Sequence, residues 1–550
     1  MRSLFASKLH RPALSASLLA LLVALFIALV DNRLFWRSFA ARLGLETFEH
    51  WVFLFSVGAA FVLLLNILIS LFCFRPIFKP FLIFLLLTTA GISYFSDNFG
   101  VAIDKSMIHN VLETDVKEAT ELLTWALLKH LLLLGGLPAA LVVLTRLRAR
   151  SPKSEALIRA GSVLGSLALL LGVGMMNYKQ FVLFGRENRD LQMLLNPSYP
   201  IYSLQKVLRQ KYFTPDDAPL RVVAPDAVRR GQGPRSVVVL ALGETARARQ
   251  FAFNGYERNT NPQLAQREVI SFSQVQACGT STAESLPCIF SALEQENYSR
   301  DKAARQENLL DILRRSGVGV LWRDNDSGSK GVADRIAYED LSRRTDSGVC
   351  ESGNCFDEIL LRDLDRQLSE STTDLLVVLH MKGSHGPSYY KRTPPEFKVF
   401  FPECTQDNIQ DCPQQTIVNA YDNTIVYTDH LLAKVIDLLQ AQDFATAMLY
   451  VSDHGESLGE SGLYLHGLPY ALAPDEQKRV PMIFWASNSF IAQKSLDIDA
   501  LERRQDAPYS HDQIFHSVFG LFDLDSAVYR PDLDIFSPCR PPAPSTALLQ

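Results

Sequence analysis

The sequence predicts two bodies: a membrane domain of five helices, then an α/β domain built on a mostly parallel sheet. Three observations carry this reading. At 550 residues the chain is too long for one compact domain. Its character changes near residue 180, a break that the averages of 48% hydrophobic and 21% charged residues conceal. Long apolar runs precede the break, and short apolar runs alternating with helical stretches follow it. The net charge of -5 supplies no global basic field for phosphate backbones, so nucleic acid is not an expected partner.

Runs 14–30, 51–72, 81–94, 122–143 and 160–176 are strongly apolar, and most approach the roughly 20 residues a helix needs to cross hydrocarbon. The third is the shortest, because Thr88, Thr89, Gly91 and Ser93 dilute it. Arg2, Lys8 and Arg11 ahead of the first run also suit a signal peptide, but the further runs argue that it stays attached. These three cations, Arg75 with Lys79, and Arg146, Arg148, Arg150 and Lys153 fall on one side when five spans are threaded alternately. By the positive-inside rule that side is cytoplasmic, although Arg33, Arg37 and Arg42 oppose the bias. An odd span count puts everything after Asn177 outside the cytoplasm. The expected domains are 1–177 (transmembrane), 178–234 (a connector along the membrane surface, punctuated by Pro197, Pro200, Pro215, Pro219 and Pro225) and 235–550 (soluble).

Cysteine spacing agrees. Six of eight cysteines form close pairs: Cys278 with Cys288, Cys350 with Cys355, and Cys404 with Cys412. Disulfides are expected in an oxidising compartment. A zinc ribbon is the rival, but no pair has CxxC spacing. Cys73 and Cys539 are left as free thiols.

In the second body, apolar runs at 236–242, 317–322, 374–380 and 447–452 read as strands covered on both faces. The first ends in Gly243-Glu244-Thr245 and the last in Ser452-Asp453-His454-Gly455. Open α/β sheets place their sites at such carboxyl ends. Taken singly, a Glu after a strand is more often a helix cap and an Asp-His pair a structural hydrogen bond; jointly, Glu244, Asp453 and His454 form a donor set that suits Zn²⁺, with Mn²⁺ as the alternative. His385 and His466 add imidazoles in Gly-flanked loops. His511 and His516 read as helix-surface or packing residues.

A nucleophile is then sought. Thr280, Ser281 and Thr282 lie between Cys278 and Cys288, and Thr245 adjoins Glu244. Spacing does not choose among these four, and a helix cap is the bland alternative. The chemical argument is that a divalent cation lowers the pKa of bound water from about 15.7 to about 7, and a coordinated hydroxyl gains the same activation.

Gly243-Glu-Thr245, Cys278-Gly-Thr-Ser-Thr-Ala283 with Pro287-Cys288, Asp324-Asn-Asp-Ser327 with Lys330-Gly331, His385-Gly-Pro387, Ser452-Asp-His-Gly-Glu456 and Tyr464-Leu-His-Gly467 occur in that order. With them the chain resembles, over nearly its whole length, the lipid A phosphoethanolamine transferases, the family that includes the mobile colistin-resistance enzymes. The resemblance implies an alkaline-phosphatase/sulfatase-like catalytic domain in the periplasm of a Gram-negative bacterium, carried by a multi-pass protein of the inner membrane. It selects Thr282 as nucleophile, and Glu244, Thr282, Asp453 and His454 as zinc ligands. His385, His466, Lys330 and Asp326 would line the phosphoethanolamine pocket, with His385 or His466 as general acid. Asn110, Thr114 and Glu118, spaced by four on one helix face, match a motif tied to lipid contact. Glu284 departs from the family pattern, in which an uncharged residue is usual.

The resemblance also implies a double displacement, with phosphatidylethanolamine as donor, lipid A phosphate as acceptor, polymyxin resistance as outcome and a monomer as the expected state. A related transferase placing phosphoethanolamine or phosphoglycerol on core sugars, periplasmic glucans or proteins is the alternative. A sulfatase would need Cys-x-Pro-x-Arg, and Cys539-Arg-Pro-Pro-Ala543 lacks the final Arg. A non-enzymatic sensor should have lost a ligand or Thr282, and none is missing.

Overall fold

The computed structural model describes residues 13–113, 120, 122–213, 219–230, 233–346, 348–351, 354–406 and 409–541. The chain divides into two compact units; the first runs to Ile108 and again over Leu122–Lys211, and the described remainder forms the second.

In the first unit, α1 (Ala16–Val30) and α2 (Arg33–Leu43) are bent by 60° at their junction, and α3 (Phe48–Leu71), α4 (Arg75–Phe99), α5 (Trp125–Leu144) and α6 (Pro152–Met176) follow. Helices α3 to α6 are each long and apolar enough to cross a membrane, and the bent pair gives a fifth span if counted as one. Leu19, Val23 and Ile27 of α1 recur on one buried stripe, while Leu18, Leu22, Leu25 and Leu29 stay exposed. An outward face that is as apolar as the inward one suits hydrocarbon rather than water. The third span is longer than the sequence suggests. Thr89 and Ser93 are buried and donate to the carbonyls of Leu86 and Ala90, so their hydroxyls are satisfied within the helix. Thr89 also bonds Asp31 Oδ2 at 2.7 Å, which ties α4 to the α1–α2 bend.

The stretch after Asn177 is more regular than its prolines suggest, with α7 (Tyr178–Glu187) and α8 (Ser198–Phe213). Pro200 stands in the first turn of α8, where its missing N–H has no helical partner to lose.

The second unit is an eight-stranded sheet: β1 (Ser236–Gly243), β2 (Ile270–Gln276), β3 (Gly319–Asp324), β4 (Ala337–Asp340), β5 (Leu375–His380), β6 (Ala445–Ser452), β7 (Arg479–Ala486) and β8 (Tyr509–Ser510). Their spatial order is β8-β2-β7-β6-β1-β5-β3-β4. Strand β7 is antiparallel to both neighbours, and the other pairings are parallel. Val238, Leu240 and Leu242 of β1 join one core, and Val237, Val239 and Ala241 join the other. Both faces are dry, which is why these strands read as unbroken apolar runs. The first core is covered by α11 (Asp512–Leu521) and the second by α10 (Gln414–Gln440). All three expected disulfides form, and Cys73 and Cys539 are free and buried.

Candidate active site

Strands β6, β1, β5 and β3 are neighbours in the sheet, so their carboxyl ends bring Asp453 and His454, Glu244, His380 and Asp324 to one rim. The loops there lock one another. Asp453 N–H donates to the Gly243 carbonyl at 2.9 Å, and Asp453 Oδ1 accepts from the N–H groups of Thr245 at 3.2 Å and His454 at 2.7 Å. Asp453 Oδ2 is left buried without a hydrogen-bond partner, as is Glu244 Oε1. His454 Nδ1 bonds the Gly455 carbonyl at 2.9 Å, so its lone pair is on Nε2. That nitrogen stands 3.3 Å from Glu244 Oε1 and 3.4 Å from Asp453 Oδ2.

Of the four candidate hydroxyls, Thr282 reaches this group, at 2.9 Å from Glu244 Oε2 and 3.5 Å from His454 Nε2. Thr280 instead donates to the Leu468 carbonyl at 2.6 Å, and Thr245 has its backbone in the left-handed region at φ 55°. Thr282 is the first residue of α9 (Thr282–Ile289). A helix N-terminus presents orphan N–H groups and positive potential to an oxyanion or phosphate. Glu284 lies in the same first turn.

These residues fit a cation. Oxygen and imidazole ligands about 2.0–2.2 Å from one tetrahedral ion lie about 3.3–3.6 Å apart, close to the separations here. Burial opposes charge on His454, yet the Asp453 and Glu244 carboxylates push it up to about 10. Burial likewise raises Glu244. The pocket thus calls for positive charge, from a proton or a metal. His466 also offers a ligand atom to the group of Glu244 and His454, with its ring 4.4 Å from that of His454. His385 is 5.8 Å from His466, ring to ring.

Comparison with known proteins decides the family. The family model described as Sulfatase matches residues 236–524, and that described as Phosphoethanolamine transferase EptA/EptB matches 61–212. Phosphoethanolamine transferase EptA of Escherichia coli K12 is 37% identical over 97% of this chain and 98% of its own length. Phosphatidylethanolamine transferase Mcr-1, also from E. coli, is 38% identical over 94% of this chain and 96% of its own. This chain belongs to the phosphoethanolamine transferases. Among solved structures, the integral membrane lipooligosaccharide phosphoethanolamine transferase A of Neisseria meningitidis superposes with a TM-score of 0.91 at 36% identity, covering 96% of this chain and 100% of that one. The sulfatase/alkaline phosphatase-like fold, with its apolar helical region, is therefore shared with a solved relative.

The rest of this transferase's site radiates from the ligand cluster. Lys330 Nζ bonds Ser327 Oγ at 2.8 Å, and that hydroxyl donates to Asp326 Oδ2 at 2.8 Å, which links the expected pocket residues in one chain. Asn110 is in the helix Lys105–Glu113, while Thr114 and Glu118 lie outside the described residues.

Three residues beside the ligand cluster escaped sequence reasoning. Asp357, buried, accepts from the N–H groups of Lys382 at 2.8 Å and Gly383 at 2.9 Å and so anchors the loop that carries His385. Glu456 Oε2 is 2.7 Å from His466 Nδ1, and Glu456 Oε1 accepts from Tyr389 at 2.6 Å. Burial raises Glu456 to about 8 and lowers His466 to about 3. Both shifts favour the neutral forms, in which Glu456 would donate its O–H to Nδ1 and leave the ring proton on Nε2. Finally, His511 is not on a helix surface. It is 1% exposed, with Nδ1 accepting from Cys278 N–H at 3.1 Å and Nε2 donating to the Ser452 carbonyl at 2.9 Å. His516 is buried too, and accepts from Arg530 N–H at 3.2 Å. An Asp-His-Gly-Glu run hints at Glu456; no local pattern marks His511.

Proposed function

We propose that this enzyme transfers phosphoethanolamine from phosphatidylethanolamine to a phosphate of lipid A through a covalent intermediate on Thr282. Glu244, Thr282, Asp453 and His454 would hold Zn²⁺, which would supply Lewis acidity to a coordinated hydroxyl and to the phosphoryl oxygens. The observation that carries the reading is the Thr282 hydroxyl at the head of α9, within 2.9 Å of Glu244 and 3.5 Å of His454. Membership of the transferase family supports the transfer, and a relative named Kdo(2)-lipid A phosphoethanolamine 7''-transferase supports lipid A as the acceptor molecule, though its name gives no phosphate.

Thr282 Oγ attacks phosphorus as its proton leaves along the bond to Glu244. The phosphorus–oxygen bond to diacylglycerol breaks, and His466 Nε2–H protonates the departing oxygen. His385, Lys330 and Asp326 orient the phosphoethanolamine, the lysine toward phosphate and the carboxylate toward the amine. A lipid A phosphate oxygen then attacks the phosphothreonine as its proton passes to His466 Nε2, the phosphorus–oxygen bond to Thr282 breaks, and the Thr282 oxygen takes back its proton from Glu244. Asn110, Thr114 and Glu118 contact lipid. Residues 1–177 anchor the enzyme in the inner membrane, 178–234 connect, and 235–550 catalyse in the periplasm, which replaces a bulk encounter between two lipids with a local search. The added amine offsets lipid A's negative charge and weakens its attraction for polymyxin.

Intact-mass measurement after incubation with phosphatidylethanolamine tests the nucleophile. Wild type gains one phosphoethanolamine unit and Thr282→Ala gains none; an equal adduct on both refutes the assignment. Mass spectrometry of lipid A from expressing and deleted cells tests the acceptor, and an unmodified lipid A in both would redirect it to glycans or proteins.

A further inference from the structure

Beside the Thr282 cluster is a second group of ligand atoms. Glu244, Asp326 and His380 each offer one, all within 4.8 Å of one another. The three side chains are 0%, 5% and 1% exposed. Each carries an atom without a hydrogen-bond partner: Glu244 Oε1, Asp326 Oδ1 and His380 Nε2. Glu244 Oε1 also faces His454 Nε2 in the first cluster, but Asp326 Oδ1 and His380 Nε2 are not accounted for there, and buried polar atoms are seldom left unpaired.

His380 is held as a metal ligand is held. Its Nδ1 is 2.9 Å from Asp324 Oδ2. That carboxylate is itself fixed by Trp322 Nε1 at 2.8 Å, and by the N–H groups of Asp326 at 3.0 Å and Gly328 at 3.2 Å on its other oxygen. An imidazole that gives its Nδ1 proton to a fixed carboxylate keeps the Nε2 lone pair for an ion, and metal-bound histidines almost always have such a partner. His380 Nε2 faces Asp326 Oδ2 at 3.9 Å. This is too far for a hydrogen bond and a few tenths of an ångström wider than a tetrahedral ligand pair, so an ion would draw the two side chains together. Ser327 occupies Asp326 Oδ2 from the side at 2.8 Å, which leaves Oδ1 over.

We propose that Glu244, Asp326 and His380 hold a second divalent cation, with the two oxygens of Glu244 shared between it and the ion at Thr282. One imidazole with two carboxylates suits Zn²⁺ or Mn²⁺ better than Ca²⁺ or Mg²⁺. The second ion adds positive charge beside the phosphoryl group, the arrangement of two-metal phosphotransfer sites. The proposal rests on the function above in sharing Glu244 and Asp326, and it replaces the amine-orienting role of Asp326 with metal ligation.

The test is metal content of the full-length protein in detergent, stripped with chelator, reloaded with Zn²⁺, desalted and measured by inductively coupled plasma mass spectrometry. Wild type should hold two ions per chain, and His380→Gln and Asp326→Asn one each. With Mn²⁺ in place of Zn²⁺, the electron paramagnetic resonance spectrum should change from a spin-coupled pair in wild type to a single ion in either variant. Two ions in wild type and in both variants would place the second ion elsewhere and overturn the proposal. So would one ion throughout, or loss of both ions in both variants. Zero in wild type would also remove the zinc assignment at Thr282, whereas one throughout leaves it standing.

Discussion

His511 Nε2 stands 2.9 Å from the carbonyl of Ser452, one residue before the ligand Asp453, and its Nδ1 takes the N–H of Cys278 four residues before Thr282. One imidazole therefore ties the loop of the proposed metal ligands to the loop of the proposed nucleophile. His511→Ala leaves a carbonyl and an N–H buried and unpaired, each costing roughly 1–3 kcal/mol. Urea denaturation should show that loss. Chelator competition should show weaker Zn²⁺ retention, since the Ser452 carbonyl no longer fixes the approach to Asp453. Unchanged metal affinity with reduced stability would make His511 a packing residue after all.

The same imidazole sets a pH dependence. Burial pushes His511 down to about 4, against about 6.5 in an unfolded chain. Above 6.5 both states are neutral and the contribution is complete. As pH falls from 6.5 to 4 the unfolded chain binds the proton first, so this stability is lost at up to about 1.4 kcal/mol per pH unit. Unfolding free energies of wild type and His511→Gln should differ by a constant amount above pH 7 and converge toward pH 4.5. A gap independent of pH would mean that His511 takes up its proton in the fold as readily as in the unfolded chain.

Legibility in the sequence followed locality. Glu244, Asp453 and His454 could be found because each follows a strand that is apolar throughout, and burial of both sheet faces makes such runs conspicuous. Thr282 could not be separated from Thr280 and Ser281 by spacing alone. The choice depends on which hydroxyl heads α9 and on how the Leu468 carbonyl captures Thr280. Strand β7 was hidden by Pro481, which normally argues against a central strand. The register shifts between Val480 and Met482, so the ladder steps past the residue that has no N–H to give. His511 is illegible for a different reason: its partners are separated from it by 59 and 233 residues.

The neutral pair of Glu456 and His466 yields an alkaline limit. With Glu456 raised to about 8, its ionisation above that pH would draw the ring proton to Nδ1 and strip Nε2 of the proton that the proposed mechanism gives to the leaving group. The first transfer step should slow as pH rises through about 8. Glu456→Gln cannot ionise, so its lower rate should lack that limb between pH 7 and 9. Stopped-time measurement of phosphothreonine formation checks this, and an identical limb in the variant would assign the titration to another group.

Gly383 offers a steric test of how tightly Glu244 must be held. Its φ is +49°, and a Cβ there would meet the Glu244 carbonyl oxygen at 2.7 Å and its nitrogen at 2.9 Å, both rigid backbone atoms. Gly383→Ala therefore combines left-handed strain of about 1–3 kcal/mol with displacement of a metal ligand. Gly255 separates the two effects: its φ is +87°, yet a Cβ at that position would meet nothing within 4 Å. Gly255→Ala should cost stability alone, with Zn²⁺ content and transfer rate near wild type. Gly383→Ala should lose metal and at least tenfold in rate even at temperatures where it remains folded. Equal metal content in the two variants would mean that the Glu244 backbone yields, and that the rim tolerates movement which its hydrogen bonds to Ser384 and Met381 of the neighbouring loop argue against.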